Sequence, residues 1–190
     1  MTREEITDIF TKTGAMLTGH FRLTSGKHSN RYFQCAQVLQ HPHYTGMLCA
    51  ELARRFAGKG VETVIGPAMG GILVSYEVAR SLGVRSLFAE REQGKMALRR
   101  NFSITPGEKV LVVEDVITTG GSVAEVIEVV RSLGGEVVGV GVLVDRSNGQ
   151  ADLGVPAEAL LTVTVETFEA ENCPLCAAGT PAVKPGSRQA

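Results

Sequence analysis

The stretch Val110-Leu111-Val112-Val113-Glu114-Asp115-Val116-Ile117-Thr118-Thr119-Gly120-Gly121-Ser122 decides the fold. Its short unbroken apolar run is typical of a strand buried in a parallel sheet. Apolar residues then recur at helical spacing from Val123 to Leu133, which predicts a helix. Residues 118–122 are therefore predicted to form a tight loop at the carboxyl end of a strand, where open α/β sheets bind their ligands.

This loop has the chemistry of a phosphate site. It offers backbone N–H groups, hydroxyl groups and a helix N-terminus, and Gly120 and Gly121 permit positive φ and close approach of the backbone. The adjacent carboxylates of Glu114 and Asp115 would repel an anion, so they must face something else. Sugar hydroxyls or a hydrated Mg²⁺ suit them. The pattern predicts a seat for a sugar phosphate.

Length and composition favour a single α/β domain with a small appendage. The chain has 190 residues, of which 44% are hydrophobic and 21% charged, so it can bury a sizeable core. A net charge of −1 and the lack of a basic run argue against nucleic acid or a membrane surface as partner. Small molecules or a second copy of the chain are expected instead. No apolar stretch reaches spanning length and no leader pattern is seen, so a cytoplasmic location is expected.

The four cysteines fall into two kinds. Cys35 and Cys49 lie among apolar residues and are predicted to be buried thiols. The stretch Cys173-Pro174-Leu175-Cys176 looks like half of a zinc knuckle. No second cysteine pair exists, and the histidines lie far upstream, at His20, His28, His41 and His43. One such pair is weak evidence, so structural zinc stays an open alternative.

The segments before the first core strand predict a helix, a hairpin and a second helix. Thr2 to Glu5 form a capping box, and apolar positions continue to Gly19, which predicts an N-terminal helix. Residues 19–34 are rich in polar donors around an aromatic pair and predict a hairpin or lid. On its own, this segment favours a surface hairpin whose two rings, Tyr32 and Phe33, pack on the body. Helical spacing resumes after Pro42.

Two further core strands each lead into a candidate loop. Strand 61–66 runs into a glycine turn, residues 67–71, that precedes a helix ending at Gly83. This turn either binds an anion or simply reverses the chain. Strand 84–89 opens onto the polar and basic residues 90–102, which predict a mobile loop or, alternatively, a solvated hairpin.

The last part of the chain predicts two more strands and a tail. Strand 136–144 ends at Asp145 and Arg146, which form either a ligand site or a structural ion pair. Residues 159–165 show the alternating side-chain pattern that is typical of a strand. The tail from Glu169, rich in Pro and Gly, is predicted to be loop.

These motifs, in this order, carry a resemblance. Residues 110–122 resemble the phosphoribosyl-pyrophosphate (PRPP) motif of the type I phosphoribosyltransferases. The pattern Phe21-x-Leu23-x-Ser25-Gly26-x-x-Ser29, followed by Tyr32-Phe33, resembles the N-terminal hood of the orotate phosphoribosyltransferases, in their short-loop form. The resemblance implies an α/β fold with a central, mostly parallel sheet flanked by helices. It divides the chain into an N-terminal helix and hood (1–40), a PRPP-binding core (41–168) and a tail packed on or near the hood (169–190).

The resemblance also implies a reaction and partners. Orotate and PRPP would give orotidine 5-monophosphate and pyrophosphate in pyrimidine biosynthesis, with Mg²⁺ bound mainly through PRPP. The protein would be a homodimer in which the 90–102 loop is shared between subunits. Two alternatives remain: a purine phosphoribosyltransferase, which would lack the hood pattern, and a PRPP-sensing regulator without catalysis, which usually needs a nucleic-acid-binding surface.

The site residues implied by the resemblance form three groups. PRPP would be held by Glu114, Asp115, Val116, Ile117, Thr118, Thr119, Gly120, Gly121 and Ser122, and its pyrophosphate by Arg91, Lys95 and the backbone of Met69 and Gly70. Orotate would be held by Thr118, Arg146, Tyr32 and Phe33. Asp115, Arg91 and Lys95 are the candidate catalytic residues.

The chain departs from the family pattern at three places. Thr24 stands where many members have a lysine near the substrate phosphates; that role cannot be carried over, and neighbouring Lys27 is the alternative. Glu92 stands where many members have the loop lysine, so that role is placed on Lys95. Met69-Gly70 stands where long-loop members have Tyr-Lys. Any pyrophosphate contact from residues 69–70 must therefore come from backbone N–H groups.

Overall fold

The computed structural model describes residues 1–23 and 25–185, so Thr24 lies outside the described residues. The chain runs through α1 (Arg3–Lys12), β1 (Met16–Arg22), β2 (His28–Phe33), α2 (Ala36–Leu39), α3 (Pro42–Arg55), β3 (Thr63–Pro67), α4 (Gly70–Leu82), β4 (Arg85–Glu92), β5 (Lys95–Leu98), β6 (Lys109–Ile117), α5 (Gly121–Ser132), β7 (Glu136–Asp145), β8 (Ala157–Thr162), β9 (Thr167–Phe168), a 3₁₀ turn (Ala170–Asn172) and α6 (Pro174–Ala177). No helix in this described part is long and apolar enough to cross a membrane.

A six-stranded sheet in the order β5-β4-β3-β6-β7-β8 forms the centre. All its pairs are parallel except β4 with β5, so the expected mostly parallel sheet is confirmed. The order reverses between β3 and β6, which are neighbours although α4, β4 and β5 separate them in sequence. The loops after these two strands therefore lie side by side at a topological switch point.

Helices cover both faces of this sheet. On β6, Leu111 and Val113 join one apolar cluster, whereas Val110 and Val112 join the other, as alternation along a strand requires. The first cluster includes α1, α3 and α4, through the buried residues Ile6, Phe10, Leu48, Leu52, Phe56, Val74 and Val78. The second includes α5, through Val123, Val126, Ile127 and Val130. Because β6 is buried on both faces, it holds Glu114 and Asp115, near its carboxyl end, in a fixed position.

A smaller sheet in the order β1-β2-β9 forms the hood. The predicted hairpin of residues 19–34 is confirmed as β1 and β2, which pair antiparallel. Strand β9 adds to β2, although its residues fall within the core range 41–168 expected from sequence. The tail also contacts the hood, because Phe21 and Val183 form a parallel bridge.

Two local predictions need correction. The N-terminal helix has the predicted Thr2 capping box but ends at Lys12 rather than near Gly19, since Gly14 takes a positive φ of 69° and the chain continues as β1. Residues 90–102 are not mainly a loop: β4 extends to Glu92 and pairs antiparallel with β5. The turn between them has positive φ at Gln93 and Gly94. The alternative of a solvated hairpin describes this segment better.

Candidate active site

The loop between β6 and α5 borders a cavity of about 260 Å³. Gly120 caps α5 with φ 80° and ψ 2°, a left-handed conformation. A Cβ at this position would also lie 2.7 Å from Leu153 Cδ2, so both conformation and space require glycine. The cavity is lined by Arg91, Glu114, Val116, Ile117, Thr118, Thr119, Gly120, Gly121, Ser122, Val123 and Glu125. The structure thus brings the predicted loop residues together around one cavity at a helix N-terminus.

Of the acidic pair, Glu114 lines this cavity, whereas Asp115, the next residue of β6, is directed towards Gly70 of the loop after β3. Glu114 is 8% exposed, and its Oε1 accepts a hydrogen bond from Asp115 N at 3.1 Å. Asp115 Oδ1 accepts one from Val116 N at 2.9 Å. Desolvation and the neighbouring Asp115 raise the pKa of Glu114 to about 9. Desolvation likewise raises the pKa of Asp115. Without a ligand, this pair therefore holds a proton at neutral pH and is ready to release it to a partner that favours the carboxylate.

The loop after β3 touches the acidic pair. A Cβ on Gly70 would lie 2.5 Å from both Cγ and Oδ2 of Asp115, so the backbone at Gly70 passes directly against the carboxylate. The Ala68–Met69 peptide bond is cis, and the Met69 side chain is 82% exposed. The two candidate ligand loops therefore form one continuous surface in which residues 69–70 offer backbone groups.

Arg91 reaches the cavity from β4. Its Nη1 and Nη2 donate to the two carboxylate oxygens of Glu125 at 2.8 and 2.9 Å, and Nη1 also donates to the Gly94 carbonyl at 2.8 Å. Glu125 was not predicted from sequence, because only the fold brings α5 against β4. Lys95 is exposed and lines a separate groove with Glu125 and Glu128. Of the two predicted loop cations, the structure brings Arg91 alone to this cavity.

Arg146 follows β7 near the same edge of the sheet. The structural Asp145–Arg146 ion pair, the alternative considered from sequence, is not found among the described residues. Asp145 instead accepts hydrogen bonds from Ser147 N at 2.7 Å, Ser147 Oγ at 2.6 Å and Gly149 N at 2.9 Å. Arg146 Nε is buried without a hydrogen-bond partner in the described part of the chain. Burial lowers the pKa of Arg146, and a guanidinium in such a position suits an incoming anion.

The hood residues separate into two environments. Tyr32 is half-buried and its hydroxyl donates to Gln34 Oε1 at 2.7 Å. Phe33 is 5% exposed and belongs to the main core cluster, because successive strand residues point to opposite faces. The expectation of an aromatic pair over the base therefore needs correction. Phe33 is part of the core, so of the two rings Tyr32 alone remains a candidate for contact with the base.

Cys35 is a further residue beside the acids. As predicted, it is a buried thiol, 4% exposed, and its Sγ donates to the Asp115 carbonyl oxygen at 3.7 Å. Burial raises the pKa of Cys35 well above its usual value, so the thiol stays neutral. It packs the hood against the end of β6. In the sequence, the apolar neighbours of Cys35 indicate that it is buried. They do not indicate its contact with Asp115.

Comparisons with known proteins agree with this geometry. The family model of the phosphoribosyl transferase domain matches residues 37–169. The orotate phosphoribosyltransferase of Desulforamulus reducens is 84% identical over 100% of this chain and 99% of its own length. That of Pelotomaculum thermopropionicum is 73% identical over 100% of both. The solved orotate phosphoribosyltransferase of Aeropyrum pernix has a TM-score of 0.67 and 29% identity, over 83% of this chain and 93% of that one. The chain belongs to the phosphoribosyltransferase family, within the group of the orotate phosphoribosyltransferases.

Proposed function

We propose that the protein transfers the 5-phosphoribosyl group of PRPP to orotate, giving orotidine 5-monophosphate and pyrophosphate. The observation that carries this proposal is that Glu114 and the loop 118–122 line one cavity at a helix N-terminus, with Asp115 next to Glu114 on the same strand. An anion-binding helix N-terminus and a nearby carboxylate suit a ligand with a phosphate at one end and sugar hydroxyls at the other. PRPP has this chemistry.

The phosphate loop acts by holding the sugar in place. Backbone N–H groups at the start of α5 and the hydroxyls of Thr118, Thr119 and Ser122 bind the 5-phosphate in this proposal. Glu114 and Asp115 bind the ribose 2- and 3-hydroxyls. The binding energy of a remote phosphate can align the reacting carbon with the base, and alignment of two reactants can supply up to about 7–11 kcal/mol.

The leaving group is the second electrostatic problem. As the base nitrogen attacks C1 of the ribose, the bond from C1 to pyrophosphate breaks. Positive charge then builds on the sugar, as in glycosidic cleavage, and negative charge builds on the pyrophosphate. Backbone N–H groups at residues 69–70 and the guanidinium of Arg91 meet that charge, which grows only in the transition state. Arg91 must leave Glu125 to do so. Orotate is already an anion, so the protein need not supply a strong base.

Orotate recognition rests on Arg146, Tyr32 and Thr118 in this proposal. The unpartnered Nε of Arg146 leaves a guanidinium edge free for the planar orotate carboxylate. Tyr32, on β2 of the hood, offers a flat ring for the pyrimidine.

The site also fits Mg²⁺ carried in by PRPP. Carboxylate oxygens are the ligands this ion prefers, and the described hydrogen bonds of Glu114 and Asp115 come only from backbone N–H groups. When bound, Mg²⁺ would neutralise part of the pyrophosphate charge.

We further propose a homodimer in which residues 90–102 of one subunit lie over the cavity of the other. The helix α4 supports a self-association surface, because it leaves Leu73 49% and Tyr76 62% exposed beside the highly exposed Met69. In the single chain, Arg91 pairs with Glu125 of its own cavity. In the described part of its own chain, Lys95 lines a groove that includes neither Glu114 nor Asp115. It is therefore the better candidate for a contribution to the partner.

A panel of bases tests the proposed function. The protein is incubated with PRPP, Mg²⁺ and each of orotate, uracil, xanthine and adenine, and pyrophosphate release is measured. Release with orotate alone supports the proposal. Release with xanthine or adenine but not with orotate would identify a purine enzyme, and PRPP binding without release with any base would identify a regulator.

A further inference from the structure

The hood and the tail meet at a cluster that the proposed reaction does not use. His20 on β1, His28 at the start of β2, and Cys173 and Cys176 around α6 place one ligand atom each within 4.8 Å of all the others. The histidines lie far from the cysteines in sequence; His28 and Cys176, for example, are separated by 148 positions. The sequence showed the cysteine pair alone; the fold supplies the missing half of the site.

Three of the separations between ligand atoms match those of a tetrahedral metal site, and a fourth, between the two imidazoles, is close to them. His20 Nε2 lies 2.8 Å from His28 Nδ1 and 3.5 Å from Cys173 Sγ, whereas Cys176 Sγ lies 3.3 Å from His28 Nδ1 and 3.8 Å from His20 Nε2. With zinc bonds of about 2.0–2.1 Å to nitrogen and about 2.3 Å to sulfur, neighbouring ligands in a tetrahedron lie roughly 3.3–3.8 Å apart. The two imidazoles need to separate by only about 0.5 Å to accept the ion.

The orientation of His20 provides independent support. Its Nδ1 donates to the Thr180 carbonyl oxygen at 2.7 Å, because a carbonyl can only accept. In the neutral ring, Nε2 then carries a lone pair, and this lone pair faces the cluster. A histidine ligand commonly donates its second ring N–H to a backbone carbonyl in this way, which fixes both tautomer and ring plane.

The surroundings are those of a closed structural site. His20, His28 and Cys173 are 3%, 7% and 3% exposed, whereas Cys176 is exposed and leaves a path for the ion. Two thiolates and two imidazoles complete the coordination of Zn²⁺ and leave no position open for a substrate. We propose that His20, His28, Cys173 and Cys176 bind one structural Zn²⁺ that joins the hood to the C-terminal segment.

The ion would reinforce the junction between the hood and the C-terminal segment. Strand β9 pairs with β2 through Ser29↔Thr167 and His28↔Phe168, and the tail adds the hydrogen bonds Val183 N to His20 O and Arg22 N to Val183 O, both of 2.8 Å. These few backbone contacts hold the tail on the hood sheet. A metal that binds the folded protein but not the unfolded chain adds its binding free energy to the free energy of unfolding.

The test begins with metal content. The full chain, without a polyhistidine tag, is expressed in zinc-supplemented medium, purified under reducing conditions and assayed by elemental analysis. One zinc per chain is expected for the wild type and for His43→Ala, a control that removes an exposed histidine outside the cluster. Cys176→Ser is expected to weaken zinc binding by at least about tenfold, because loss of even an outer-shell partner costs about 10–100-fold.

Two further readouts separate a ligand role from a merely structural one. Replacement by Co²⁺ should give the intense visible absorption of a tetrahedral thiolate site in the wild type, and Cys176→Ser should lose it while circular dichroism shows an intact fold. A chelator should lower the melting temperature of the wild type but not that of Cys176→Ser. The proposal is overturned if the reduced wild type holds no zinc, if it gives no tetrahedral cobalt spectrum, or if Cys176→Ser binds zinc as tightly as the wild type.

Discussion

Arg146 is the residue on which base recognition depends in the proposed function. Its Nε lacks a partner in the described part of the chain, and the neighbouring Asp145 is fully engaged by the turn that follows. An arginine left buried in this way costs free energy unless a ligand pairs with it. We therefore interpret it as a site for the orotate carboxylate.

Arg146→Ala is expected to raise the KM for orotate by at least about tenfold, because a hydrogen bond to a charged group contributes about 1.5–3 kcal/mol. The KM for PRPP should change little. Steady-state kinetics with each substrate varied in turn checks this, with Arg80→Ala, which breaks an exposed ion pair to Glu77, as the control. Equal increases in both KM values would reject the carboxylate assignment.

The acidic pair predicts a pH dependence with a definite sign. Desolvation and Asp115 raise the pKa of Glu114 from 4.5 to about 9, so the folded protein holds this proton more tightly than the unfolded chain. The contribution of Glu114 to the free energy of unfolding is full below pH 4.5 and is lost as the pH rises towards 9. A ligand that stabilises the carboxylate must instead release the proton.

Binding of PRPP with Mg²⁺ should therefore release protons and tighten as the pH rises from about 7.5 to 9, a range in which the phosphate ester is already ionised. Calorimetry in buffers of different ionisation enthalpy measures the release. Glu114→Gln should abolish most of it. Affinity that is independent of pH in the wild type would contradict the assigned role of Glu114.

Single residues also mark the limit of prediction from sequence. Glu114, Asp115 and the loop 118–122 are contiguous, so their local pattern predicts both a strand end and a site. The pairing of Arg91 with Glu125 depends on packing between elements far apart in the chain, which spacing does not encode. Phe33 was misassigned for a related reason: the side of the strand that faces the core is decided by the register of β2 with its neighbours.

At the scale of elements, the two ligand loops depend on each other. The β3–α4 turn passes so close to Asp115 that residue 70 has no room for a side chain. The glycine run predicted a tight turn, whereas its contact with the acidic pair follows from the adjacency of β3 and β6. The boundary error at β4 also reflects contacts between elements, since pairing with β5 extends β4 beyond its apolar part.

Gly70→Ala should therefore displace Asp115 and weaken PRPP binding strongly. The far-ultraviolet circular dichroism spectrum, which reports on the fold, should stay unchanged. Gly46→Ala is the matched control. Its Cβ would meet only side-chain atoms at 3.6 Å, within helix α3, where alanine stabilises by about 0.5–1 kcal/mol. PRPP affinity in Gly70→Ala equal to that in Gly46→Ala would show that the two loops do not share one site.

At the scale of the whole molecule, the open question is which subunit each loop serves. Lys95→Ala and Asp115→Asn are each expected to be nearly inactive alone. If residues 90–102 act on the partner, mixed dimers contain one intact site, and random mixing restores at most about a quarter of wild-type activity. Activity measured after co-refolding of the two variants checks this. No recovery would contradict the proposal that Lys95 of one subunit serves the site of the other.

The central claim is that residues 114–122 seat a ribose phosphate. A crystal structure with ribose 5-phosphate and Mg²⁺ tests it most directly. In this crystal we expect density for the phosphate at the backbone N–H groups of residues 118–122, with the 2- and 3-hydroxyls within hydrogen-bond distance of Glu114 and Asp115. A ribose phosphate bound elsewhere, with these positions free of ligand, would contradict it.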